Sequence, residues 1–160
     1  MTEQQADTDV RVEVSVEAPI ERTFQAFTER VGSWWPRAYR LGADDWVDVR
    51  IEPHVGGRWY EHAEDGQDCD WGRVLVWDPP NHLVLSWQIG VTFQPQSDPE
   101  SASRVDVRFV ADSASRTTVT LVHSDFEKHG EGWESMRSGV AHEGGWPGIL
   151  TAFAEVAATK

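Results

Sequence analysis

Val10, Val12, Val14 and Val16 alternate with polar residues, which is the period of a half-buried strand. Ala18-Pro19 then opens a helix, because Pro is tolerated at the first helical position and Glu21 falls near the positive end of the helix dipole. Ile20, Phe24, Phe27 and Val31 follow at helical spacing, and Gly32 ends the element. Ser33-Trp34-Trp35-Pro36 is too short for another full helix and is closed by Pro36. Two adjacent tryptophans cannot both face one core from a regular element. One of them is therefore expected to line a groove or cover an opening.

From Trp46 onward the pattern is that of strands. Val47, Val49 and Ile51 alternate with Asp48, Arg50 and Glu52, and Pro53 with Gly56-Gly57 marks a turn. Residues 56–77 then read as a hairpin about Glu64-Asp65-Gly66-Gln67, since Asp-Gly between aromatic and β-branched residues is a strong hairpin signal. Gly56-Gly57 and Gly72 are expected where its strands bend. Asp78-Pro79-Pro80-Asn81 makes a second turn, and Leu83, Leu85 and Trp87 share the next strand face. The segment from Gln94 to Ser103 reads as an exposed loop. Val105, Val107 and Phe109 form one more strand; Val119, Leu121 and His123 form the last. A weak helical segment is expected from about Glu131 to Val140, interrupted by His142-Glu143-Gly144-Gly145. Trp146, Ile149, Leu150, Phe153, Val156 and Ala157 then make the stripe of a terminal helix, with Pro147 harmless in its first turn. Strand, helix, about six strands and a long helix make an α+β fold with an antiparallel sheet. A sheet curved around its longest helix leaves a space between them, the natural ligand site.

Composition narrows this picture in three ways. A length of 160 residues suits one domain over residues 10–160, behind a polar lead from Met1 to Asp9 expected to be disordered and unlike a secretory signal or transit peptide. No apolar run approaches the ~20 residues of a membrane span. The formal net charge of −13 disfavours nucleic acid and anionic membrane surfaces, both of which are bound through Lys and Arg. The single cysteine, Cys69, excludes an internal disulfide and agrees with a reducing cytoplasm. Nine tryptophans is the unusual number, and large aromatics concentrate in cores, interfaces and ligand cavities.

Candidate chemistry follows from alternation. Glu61 shares a strand face with Trp59, and His123 shares one with Leu121, so both polar groups turn inward. A carboxylate and an imidazole facing one cavity can orient a hydroxyl or carbonyl, or act as acid and base. The structural alternative is that they bond each other, Arg, Trp N–H groups or water. Trp34, Trp59, Trp71, Trp87 and Trp146 are candidates for an aromatic cage, against ordinary core packing for each of them alone. Asp70 and Arg73 are expected to pair at the surface. Metal binding lacks support, because His62, Asp65, Asp68 and Cys69 scatter over two faces and a turn. His142-Glu143 is not a zinc-protease motif, since Trp146 stands four residues after His142. Nothing places a base beside Cys69, and no Gly-rich phosphate loop precedes a helix, so no cofactor is expected.

Taken in order, several stretches resemble the START/Bet v 1-like superfamily (SRPBCC proteins). They are Ala18-Pro19-Ile20-Glu21, Trp34-Trp35, Glu52-Pro53, Gly56-Gly57-Arg58-Trp59, Gly72-Arg73-Val74, Asp78-Pro79-Pro80, Leu83-Val84-Leu85-Ser86-Trp87 and Gly145-Trp146. Within it the chain is most similar to the branch named after the activator of Hsp90 ATPase homologue. The resemblance implies a helix-grip fold: a curved antiparallel sheet of six to seven strands wrapped around a long C-terminal helix, with two short N-terminal helices. It also implies a mostly apolar internal cavity, for which Trp34, Trp59, Glu61, Trp71, Trp87, Phe109, His123, Trp146 and Leu150 are the candidate lining. The expected function is cytoplasmic binding of a small apolar or aromatic ligand. The alternative is a polyketide cyclase- or dehydratase-like enzyme using Glu61 and His123, with Glu61 facing His123 across the sheet. A third reading is a module that stimulates a chaperone ATPase, for which Trp35-Pro36 and the loop after Gly90 are the candidate apolar patch. A homodimer and a chaperone are the macromolecular partners left open.

Overall fold

The computed structural model describes residues 9–35, 46–64, 66–90 and 98–159. The lead before Asp9, Pro36, Asp65 and residues 91–97, which include part of the expected loop, lie outside the described residues. Seven strands form one antiparallel sheet: β1 (Val10–Val16), β2 (Trp46–Ile51), β3 (Arg58–Ala63), β4 (Asp68–Asp78), β5 (His82–Trp87), β6 (Ser103–Ser113) and β7 (Arg116–Ser124). Their order is β1-β7-β6-β5-β4-β3-β2, so every neighbour from β2 to β7 is a hairpin neighbour and β1 closes onto β7. Helix α1 (Ile20–Glu29) and a 3₁₀ turn (Val31–Ser33) follow β1, and α2 (Trp133–Ala141) and α3 (Trp146–Ala158) end the chain. This is the expected helix-grip arrangement.

The valines of β1 pair with Thr117, Val119, Leu121 and His123 of β7, which sets one continuous inner face. Leu83, Leu85, Val105, Val107, Val119 and Leu121 on that face are fully buried against α1 and α3. On β3 the alternation places Trp59, Glu61 and Ala63 inward, while Arg58 lies over the Tyr60 ring at 4.0 Å on the outside. A register shift between Trp59 and Tyr60 skips Trp71 on β4, and the bulge turns that residue fully inward. Gly72 is required at this bend, because a Cβ there would fall on the Ser86 carbonyl oxygen of β5. Gly145 has the same role at the start of α3, where a Cβ would collide with the Val140 carbonyl.

Four local expectations need correction. Pro19 caps α1 from outside, with extended backbone, and the first helical residue is Ile20. The helix ends at Glu29, and Gly32 sits inside the 3₁₀ turn. Both Trp34 and Trp35 are buried, since the backbone after that turn is irregular and sends the two side chains to different parts of one core. Ala102 and Ser103 are buried as well, with Ser103 opening β6, so the exposed loop stops short of them.

Candidate functional site

Six tryptophans are buried among the described residues: Trp34, Trp35, Trp59, Trp71, Trp87 and Trp146. Five of them form one contact cluster. Trp35 meets Trp59, Trp71 and Trp146 at centroid distances of 5.7, 4.8 and 5.8 Å, and Trp59 meets Trp71 at 5.3 Å and Trp87 at 5.9 Å. Trp87 reaches Trp146 at 5.6 Å, closing the ring 35–59–87–146. Most of these contacts are edge-on, the arrangement that aligns the positive edge of one ring with the negative face of the next. The rings lie between β3–β5 and the start of α3, joined by these contacts. Trp35, which sequence alternation could not assign, belongs here. Trp34 turns instead to Phe27 at 5.0 Å and Phe153 at 5.3 Å, in a second cluster with Phe24, Phe109 and Trp77. Leu150 is buried on the same helix as Phe153.

The two clusters differ in hydrogen bonding. Trp34 donates its indole N–H to the Ala26 carbonyl at 2.9 Å, and Trp146 donates to His123 Nδ1 at 3.0 Å. The buried indole nitrogens of Trp35, Trp59, Trp71 and Trp87 have no hydrogen-bond partner among the described residues. An unmet buried donor costs about 1–3 kcal/mol, so four in one cluster is a large concession for a core.

His123 sits in a polar chain at one edge of this cluster, stacked on Phe126 at 4.2 Å and beside Trp87 at 5.1 Å. The direction of every bond in the chain is fixed by elimination. An indole N–H only donates, so His123 Nδ1 is the acceptor and its proton is on Nε2. Nε2 lies 2.7 Å from Ser103 Oγ, which takes that proton and turns its own hydrogen toward His129 Nε2 at 2.6 Å. His129 Nε2 also accepts the Ser103 backbone N–H at 3.1 Å, leaving its proton on the unpartnered Nδ1. Both imidazoles are thus neutral. Burial holds His123 well below the usual histidine range, and repulsion from His129 adds to it. Burial lowers His129 as well. A groove of about 220 Å³ that opens at the surface runs along Ser103, Ser86, Gln88 and Lys128, next to this chain.

Glu61 is almost fully buried on the inner face of β3, paired across the sheet with Val49 and Cys69. Strands β4, β5 and β6 separate it from His123, and the ring contacts Trp59–Trp87 and Trp87–His123 span the interval. Both ring nitrogens of His123 are already taken by Ser103 and Trp146. Burial, reinforced by Glu61 and then Asp70, pushes the Cys69 thiol up to about 11, which suppresses its thiolate. Outside the sheet, Arg58 bridges Glu52, Asp68 and Asp70, and Arg73 meets Asp70 at 3.3 Å. His62 Nδ1 lies 2.7 Å from Asp68, and no metal-holding cluster occurs among the described residues. Trp35, offered as part of an exposed apolar patch, is buried; Pro36 and residues 91–97 lie outside the described residues. No described helix is long and apolar enough to cross a membrane.

A curved sheet of seven strands gripping a terminal helix, with an aromatic interior, defines the START/Bet v 1-like class. The chain belongs to the activator of Hsp90 ATPase homologue 1-like family, whose model matches residues 17–158. No curated protein sequence matches it. Among solved structures, it is similar to the anthrahydroquino-γ-pyrone synthase Txn09, with 37% identity over 92% of this chain and 96% of that one and a TM-score of 0.66. It is also similar to CalC, a self-sacrificing resistance protein from Micromonospora echinospora, with 30% identity over 93% of each chain and a TM-score of 0.68. The Aha1 dimer from Colwellia psychrerythraea shares the fold at 15% identity, 94% and 96% coverage and a TM-score of 0.62.

Proposed function

We propose that the protein binds a small planar aromatic molecule in the tryptophan-rich half of its interior, between β3–β5 and α3. The observation that carries this reading is the cluster itself. Five indoles linked by ring contacts occupy one end of a core whose other end is built mainly from Phe and aliphatic residues. Aromatic faces and edges recognise planar π-systems, and indoles supply that recognition at low conformational cost. Similarity to a γ-pyrone synthase supports an aromatic, polyketide-like ligand. Because the rings are in contact, a ligand enters by turning one or more of them aside. Native mass spectrometry of freshly purified protein tests the reading: a retained aromatic small molecule is expected. Apo protein that also shows no tryptophan quenching with added hydroxyanthraquinones would falsify it.

A second reading, a polyketide cyclase-like catalyst with Glu61 and His123 as acid and base, is favoured by the 37% identity to the synthase. The hydrogen bonds from His123 through Ser103 to His129 offer a proton path between the edge of the aromatic cluster and the surface groove. Both ring nitrogens of His123 are engaged, so direct proton abstraction requires the Trp146 indole to swing away first. Glu61→Gln and His123→Gln in a turnover assay with a linear polyketide substrate separate the readings. Loss of turnover with ligand binding retained supports catalysis; unchanged turnover removes it.

A further inference from the structure

We propose that the indole N–H groups of Trp35, Trp59, Trp71 and Trp87 form a donor set that selects a ligand by its carbonyl-type oxygens. This makes the ligand a hydroxyquinone- or pyrone-like aromatic and not a hydrocarbon or lipid. The inference rests on the reading that this half of the interior takes a ligand, and it specifies the chemistry of that ligand. Four of the five buried donors in this contact cluster have no acceptor among the described residues, whereas the fifth, Trp146, and Trp34 in the neighbouring cluster both have one. Phenylalanine fills the same kind of space without a polar atom, as the neighbouring cluster of Phe24, Phe27, Phe109 and Phe153 shows. Tryptophan at these four positions therefore adds donors where bulk alone needs none.

An indole N–H only donates. A partner for four of them must present acceptor lone pairs, and it must be flat to lie among ring faces. Oxygens fixed around the perimeter of a rigid polycyclic system satisfy both conditions. A ligand cation is disfavoured, because N–H hydrogens carry the positive end of their dipoles. A saturated chain would leave all four donors unmet. Trp59 and Trp71, in contact at 5.3 Å on adjacent strands, offer two of these donors side by side.

The test compares two probes of one shape, 1,8-dihydroxyanthraquinone and anthracene, by tryptophan-quenching titration of the full chain. The quinone is expected to bind at least about tenfold more tightly, one engaged donor being worth about a factor of ten. Site-specific replacement of Trp59 or Trp71 by β-(3-benzothienyl)alanine keeps the ring size and removes the N–H. Each is expected to lower the quinone preference about tenfold and leave anthracene affinity unchanged; the same replacement at Trp34 should not alter the preference. Equal affinities for the two probes, or a preference insensitive to replacement at all four positions, overturns the donor set while leaving aromatic binding intact. Failure of both probes to bind removes the ligand reading along with it.

Discussion

Trp34 and Trp35 are neighbours in sequence, equally buried, and 6.0 Å apart ring to ring. One donates to a helix carbonyl and packs among phenylalanines; the other packs among tryptophans and donates to nothing. They mark the border between two halves of one interior. In the phenylalanine half every stabilising contribution is dispersion, area and satisfied hydrogen bonds, which is how a core holds a fold. In the tryptophan half the rings are buried as well, yet four donors are left unmet among the described residues. On the proposed reading, the difference separates residues that hold the fold from residues that meet a ligand.

The strongest way to break this comparison is to truncate the phenylalanine half. Phe153→Ala leaves a cavity beside Phe27 and Trp34 and is expected to cost about 3–5 kcal/mol in urea unfolding. A loss below 1 kcal/mol would place the structural core elsewhere. A paired substitution sharpens the contrast. Trp34→Phe and Trp71→Phe remove similar volume, but the first also strands the Ala26 carbonyl, while the second removes an unmet donor. Trp34→Phe is expected to be the more destabilising by about 1–3 kcal/mol; the reverse order would show that the donors of the tryptophan half are satisfied in solution.

The histidine chain at the edge of the tryptophan half adds a pH dependence. His123 and His129 have folded values below the ordinary 6.5, so the unfolded chain binds more protons in the window just under that value. Stability is therefore complete above about pH 6.5 and falls as pH drops toward the folded values. Urea midpoints between pH 5 and 7.5 should show this slope, and it should flatten in His123→Gln if that variant folds. A flat profile in the native chain would mean that one imidazole is charged in the folded state. Kinetics of alkylation report the thiol of the same half. With Cys69 at about 11, iodoacetamide at pH 8 should react roughly a hundredfold more slowly than with an unhindered thiol. A rate near that of glutathione would show that β4 opens readily. The smallest effect is expected outside both halves. Arg73→Ala breaks a half-exposed pair with Asp70 and should change stability by less than about 1 kcal/mol.

Much of the fold was legible in the chain because strand and helix periods are local. The valines of β1, the alternation through His123 and the stripe of α3 all follow from residue spacing alone. The bulge that turns Trp71 inward was not legible, because it depends on Gly72 meeting Ser86 on a neighbouring strand. The burial of both Trp34 and Trp35 depends likewise on irregular backbone that no period describes. At the candidate site, alternation turned Glu61 and His123 inward but said nothing of their partners. The bonds of His123 to Ser103 and Trp146 join residues 20 and 23 positions away. His129 escaped notice for the same reason, since its only signal was a polar residue in a weakly patterned stretch. Above all, an unmet N–H is a property of surroundings, which no single residue records.

The indole region of a nitrogen-15 proton correlation spectrum, collected on assigned protein before and after addition of 1,8-dihydroxyanthraquinone, bears most directly on the division between the two halves. In free protein the Trp34 and Trp146 N–H protons should resonate downfield, as hydrogen-bonded donors do, with those of Trp35, Trp59, Trp71 and Trp87 upfield of them. Addition of the quinone should move some or all of those four downfield and leave Trp34 in place. Six similar shifts in the free protein, or a perturbation centred on Trp34, would contradict it.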